Sequence, residues 1–205
     1  CLEDATVENL TVNGEIYCSE PYAMAGGLAA RARGTVTLRS CVNNATVSAL
    51  ARGCAGVGGL VGSYDDNVEY RWQSIRLLIA DSHNSGLIVL TGSDPNAYVG
   101  GLVGANENCV QLERSYNTGT IYAPGAWVGG LLGQAGAQTG DCTPLLQSCF
   151  SAAPLNGAAS KTYGLYAKGT LSEKYLQDSY GLEQEGVLFH SGARPADLPT
   201  LSEHF

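Results

Sequence analysis

The stretch Val57-Gly58-Gly59-Leu60-Val61-Gly62 decides the fold, because the chain repeats it. It returns as Val99-Gly100-Gly101-Leu102-Val103-Gly104 and as Val128-Gly129-Gly130-Leu131-Leu132-Gly133. An earlier form is Ala25-Gly26-Gly27-Leu28-Ala29, and a degenerate form is Thr162-Tyr163-Gly164-Leu165-Tyr166-Ala167. Successive copies, aligned at positions 26, 58, 100, 129 and 163, lie 32, 42, 29 and 34 residues apart. A second string precedes each copy: Cys41-Val42-Asn43-Asn44-Ala45, Ser82-His83-Asn84-Ser85-Gly86 and Ser115-Tyr116-Asn117-Thr118-Gly119. Weaker forms begin at Thr11 and Cys149. From the small residue of this string to the first glycine position takes 12, 13, 14, 10 and 10 residues.

Two strings in fixed order at a period of 20–50 residues signal a stacked array. Asn, Gly, Thr and Val dominate without a 3.6-residue apolar stripe, so the units are short strands and turns rather than helices. Propeller blades need about 40 residues or more. A coil of two or three short strands fits the spacing better. The expected fold is all-β: a single-stranded parallel β-solenoid of about five coils, right-handed by the crossover rule. Coils would stack at about 4.8 Å.

The leucines Leu60, Leu102 and Leu131 are expected to lie over one another in the core. Asn and Gly of the second string are expected to turn the chain with positive φ. The glycine pairs Gly58/Gly59, Gly100/Gly101 and Gly129/Gly130, with Gly62, Gly104 and Gly133, are expected where backbones pass closely or bend. Tyr98 and Trp127 share one position, two before the first glycine. They read as core filling or glycine cover, or as a sugar-stacking platform.

Composition agrees. Glycine is 27 of 205 residues and charged residues are only 15%. The net charge of −8 makes nucleic acid and anionic lipid poor partners, and no apolar run reaches membrane-helix length. The chain starts at Cys1 without a leader, which reads as a processed or excised piece. No Cys-x-x-Cys, His-Glu-x-x-His or Gly-x-Ser-x-Gly occurs, and the histidines lack metal-ligand spacing. No cofactor, metal or catalytic residue is therefore expected.

The Gly-Leu-(apolar)-Gly copies at 59–62, 101–104 and 130–133 resemble the GLUG-motif repeat family. The likeness covers roughly residues 7–183. It implies a secreted or bacterial cell-surface protein, such as adhesin-like chains and the non-catalytic parts of IgA1-cleaving metallopeptidases. It transfers no catalytic set. Residues 1–183 are thus expected to be the repeat solenoid and 184–205 a C-terminal cap or linker.

The longest gap between copies holds Asp65, Asp66, Tyr70 and Trp72, an acidic pair followed by aromatics that reads as a solvated loop whose Trp tucks against the solenoid, or as a holder for a sugar or a calcium ion. Of the seven cysteines, Cys109 and Cys142 lie in the same loop of adjacent copies and are the first disulfide candidate. Cys18 with Cys54 is the second. Cys41 and Cys149 share a position three copies apart and should not pair. Asp81 and Arg114 are neighbours in the column Ser40, Asp81, Arg114, Ser148, Asp178, which suggests a cross-coil ion pair. The functional expectation is a non-catalytic structural or adhesive module of a larger bacterial protein: a spacer, a stalk or a host-adhesion segment. Its partners would be a glycan, a host surface protein or other domains of the same parent chain, without membrane insertion. The alternatives are a carbohydrate-binding module and a glycan-cleaving β-helix enzyme.

Overall fold

The computed structural model describes residues 1–53, 55–65, 76–92, 94–136, 145–169, 171 and 173–200. It is a parallel β-solenoid. Each of the first five coils runs through five short strands, and each strand pairs in parallel with its equivalent one coil away. In the second coil these are Ala29–Arg33, Val36–Arg39, Val42–Asn43, Thr46–Ala51 and Gly56–Gly58. They belong to five sheets, here A to E in that order, of six, six, seven, five and five strands. The expectation of two or three strands per coil is corrected to five. Strands of two or three residues, separated by corners, are too short to show an alternating pattern in sequence.

The repeated motif falls in register. Gly26, Gly58, Gly100 and Gly129 are successive partners in sheet E. The leucines stack: the Leu28 amide donates to the Leu60 carbonyl at 2.9 Å, Leu60 to Leu102 at 3.0 Å, Leu102 to Leu131 at 2.9 Å and Leu131 to Leu165 at 2.7 Å. Leu60, Leu102 and Leu131 are fully buried. Removing such a side chain from water stabilises by about 1.5–3 kcal/mol.

The interior has two apolar lobes. One gathers Leu38, Leu60, Ile79, Leu102, Leu112, Leu131 and Leu146 from sheets A and B and the A–E corner. The other gathers Val47, Val57, Ile88, Val99, Ile121 and Val128 from sheets D and E. The chain bends at the glycine pair, so Val57 enters one lobe while Leu60 and Val61 enter the other.

What divides the lobes is an asparagine ladder facing the glycines. Asn43, Asn84 and Asn117 occupy one buried column of sheet C. Nδ2 of Asn43 donates to Oδ1 of Asn84 at 2.7 Å, and Nδ2 of Asn84 to Oδ1 of Asn117 at 2.8 Å. Each also donates to the carbonyl two residues on, at Ala45, Gly86 and Gly119. Across from them, a Cβ on Gly27, Gly59 or Gly101 would collide with Asn43, Asn84 or Asn117 respectively. The second glycine of each pair is therefore required by close approach.

The expected positive φ at these asparagines is corrected. The left-handed turn lies just after sheet B, at Asn9, Ser40, Asp81, Arg114, Ser148 and Asp178, with φ between 43° and 56°. In the small-residue column of the second string only Gly14, at 106°, has positive φ, whereas Gly86 and Gly119 are small because a Cβ would strike the backbone of the adjacent coil. Beside the turn, Cys41, Ser82, Ser115, Cys149 and Ser179 form a further column. Ser82 Oγ donates to the Ala80 carbonyl at 2.7 Å and accepts from the Cys41 amide at 3.0 Å.

At the C-terminal end, the Leu188 amide donates to Thr162 at 2.8 Å and the Leu188 carbonyl accepts from Gly164 at 3.0 Å. Phe189 fills the space above Gly164 and Gly181. His190 lies between the rings of Tyr163 and Tyr166, at centroid distances of 4.2 and 4.4 Å. Arg194–Ala196 adds a seventh strand to sheet C.

Candidate functional site

The outer face of sheet C carries a ladder of rings. His83, Tyr116, Phe150 and Tyr180 are register partners. The centroids of His83 and Tyr116 are 4.5 Å apart, and those of Tyr116 and Phe150 are 4.7 Å apart, with nearly parallel planes. These spacings match the coil repeat, so each ring spends its faces on its neighbours and presents its edge to solvent. Burial disfavours the charged form of His83 and lowers its pKa.

Beside this ladder runs a row of charges. Arg114 holds Asp81 through two bonds, Nε to Oδ1 at 2.6 Å and a second guanidinium nitrogen to Oδ2 at 2.9 Å. Arg39 approaches Asp81 at 3.6 Å and Glu8 at 3.8 Å, and Arg114 approaches Glu113 at 3.6 Å. The hydrogen bond from Arg114 lowers the Asp81 pKa, and partial burial opposes it. The cross-coil pair expected from the sequence column is thus present. Both side chains are more than a third exposed, so solvent screening keeps its contribution small.

Asp65 sits between two arginines, Arg31 Nε at 3.2 Å and Arg33 Nε at 3.3 Å. Those cations occupy the carboxylate that the sequence offers to a sugar or calcium ion. Asp66, Tyr70 and Trp72 lie outside the described residues. Among the described residues no group of three His, Cys, Asp or Glu could hold a metal ion.

Tyr98 and Trp127 pair in sheet E as expected. Lys168 Nζ lies 5.4 Å from the Tyr98 ring centroid and 5.7 Å from that of Trp127, and it donates to the Tyr98 hydroxyl at 3.0 Å. Lys161 Nζ lies 5.4 Å from the Trp127 ring. Tyr98 is buried and Trp127 half-buried, and ammonium groups lie over both rings. Neither lysine was legible as their partner, since both come from the degenerate last copy.

Cys109 is disulfide-bonded, while Cys142 lies outside the described residues. Cys1, Cys18, Cys41 and Cys149 are free. The pairing of Cys18 with Cys54 is therefore corrected: the Cys18 thiol is free and packs against the sheet D and E lobe. Cys41 and Cys149 are buried. Burial pushes the Cys149 thiol up to about 12, which suppresses the nucleophilic thiolate.

One feature had no signal in the repeat. A notch of about 330 Å³ opens between the last strand of sheet D, Leu155–Gly157, and the turn at Glu185 and Gly186. Tyr122, Pro124, Ala159 and Thr162 complete its wall. Comparison with family models, curated proteins and solved structures finds no match to this chain.

Proposed function

We propose that the chain is a non-catalytic structural and adhesive repeat module, a spacer, stalk or host-adhesion segment of a larger bacterial surface or secreted protein. The observation that carries this reading is the coil-by-coil identity of the interior. Leucine recurs through five successive coils, the first-position glycine through four and the buried asparagine through the three central ones, so the central coils extend the body on one shared core pattern. Four of the outer carboxylates, Glu8, Asp65, Asp81 and Glu113, are engaged by arginines. Glycan hydrolysis needs two carboxyl groups about 5–10 Å apart and free to act. The resemblance of the glycine–leucine copies to GLUG repeats favours the same role. No helix among the described residues is long and apolar enough to cross a membrane.

The test is to incubate the whole chain with a panel of polysaccharides and assay new reducing ends, while chain-coated beads are scored on host cell layers. The expected result is bead retention with no cleavage. Sustained release of reducing ends would overturn the proposal.

A further inference from the structure

The notch beside the C-terminal turn has the chemistry of a small polar ring ligand. It lies where sheet D stops: among the described residues no sixth strand continues from Leu155–Gly157. Gln184 takes part of the missing strand's place. Its Oε1 accepts from the Leu155 amide at 3.2 Å, and its Nε2 donates to the Ala153 carbonyl at 2.8 Å. Those bonds block an extended peptide from pairing along the edge, because its first rungs are already filled. What stays open is the short stretch Asn156–Gly157, beside the exposed Tyr122 that is the register partner of Asn156.

The walls alternate in character. Tyr122, Pro124 and Leu155 supply apolar surface, while Asn156, Glu185 and Thr162 supply a carboxamide, a carboxylate and a hydroxyl. Thr162 is itself buried, and its hydroxyl donates to the Ala158 carbonyl at 2.8 Å. A volume of about 330 Å³ sits at the lower end of the range of small-ligand sites. An aromatic ring beside hydroxyl-matching polar groups suits a sugar, whose ring has an apolar face and polar rim. No Lys or Arg lines the notch, and its one charge is the Glu185 carboxylate.

We propose that this notch is a binding site for one neutral or amino-bearing sugar ring, the exposed unit of a glycan. The proposal deepens the adhesive reading given above and rests on it. Acidic sugars are excluded by Glu185, and multi-ring stacking by the size of the site.

The test is an NMR titration of the ¹⁵N-labelled whole chain with glucosamine, N-acetylglucosamine, galactose and sialyllactose. The Gly157 and Gly186 amides should shift with at least one of the first three, with a millimolar Kd. Tyr122→Ala should weaken this about tenfold, and Tyr122→Phe by no more than about twofold. Tyr122 is exposed, and Glu185→Gln, on an exposed turn, gives a second folded variant that should lower affinity for glucosamine more than for galactose. The proposal is overturned if those amides stay fixed with all three sugars. It is also overturned if their shifts persist unchanged in Tyr122→Ala, or if sialyllactose binds more tightly. Loss of the site in this way leaves the non-catalytic module intact, whereas cleavage of a bound glycan would end that module reading and keep the site.

Discussion

Replacing Asn84 by alanine should come close to unfolding the protein. Asn84 is fully buried. Its Nδ2 donates to Gly86 O at 2.9 Å and to Asn117 Oδ1 at 2.8 Å, and its Oδ1 accepts from Asn43 Nδ2 at 2.7 Å. Truncation deletes all three bonds. Asn117 Oδ1 keeps the Gly119 amide at 3.1 Å, and Asn43 Nδ2 keeps the Ala45 carbonyl at 3.0 Å. The second Asn43 amide hydrogen and the Gly86 carbonyl lose this partner. Two stranded buried groups cost about 1–3 kcal/mol each. The facing wall is glycine backbone, which has no side chain to fill the void. The expected loss is about 3–6 kcal/mol, against a total domain stability of about 5–15 kcal/mol. Equilibrium urea unfolding followed by far-ultraviolet circular dichroism measures it. The control is Asn44→Ala: its side chain lies outside, donating to Asn13 Oδ1 at 3.1 Å, and should cost less than about 1 kcal/mol. If Asn84→Ala loses less than about 1 kcal/mol, or no more than Asn44→Ala, the ladder does not hold the two lobes together.

Gly59→Ala puts a methyl into the Gly101 carbonyl and the Asn84 side chain, neither of which can yield. It should cost at least the roughly 1–3 kcal/mol of ordinary overpacking, lowering Tm by roughly 2–12 °C in calorimetry. Because burial lowers the His83 pKa from 6.5, the unfolded chain binds more protons just below that value. Stability should be full above about pH 6.5, decline as pH falls through it, and level off below the folded pKa. His83→Phe, matching Phe150 in the same column, should remove that part of the decline in urea midpoints measured across the range. With the thiol of Cys149 at about 12 and buried, an aromatic disulfide reagent should label exposed Cys1 in the native protein but reach Cys149 only after denaturation. Mass spectrometry of labelled peptides reads the difference.

The repeat made the stacking direction legible because a buried leucine must recur wherever a coil closes on the same core. The Asp81–Arg114 pair was legible for the same reason, since a fixed register turns sequence alignment into adjacency. Cys41 and Cys149 could be kept apart on that basis too. The number of strands per coil was not legible. Strands such as His83–Asn84 have two residues, one facing in and one out, and leave no period to read. The role of the asparagines was hidden because Asn favours left-handed turns and buried ladders alike, and only burial decides between them. The true turn column contains Asp, Ser and even Arg114, a residue type that gives no turn signal. The notch depends on Glu185 and Tyr122, which no repeat spacing links. Arg31 and Arg33, which approach Asp65 from the preceding coil, were not legible as its partners.

The most direct test of the account is a methyl–methyl nuclear Overhauser experiment on leucine-labelled protein. The stacked coils should give an unbroken chain of contacts from Leu60 to Leu102 to Leu131 to Leu165, each about one strand spacing apart. Contacts that skip this order, or leucines that see only residues of their own coil, would contradict it.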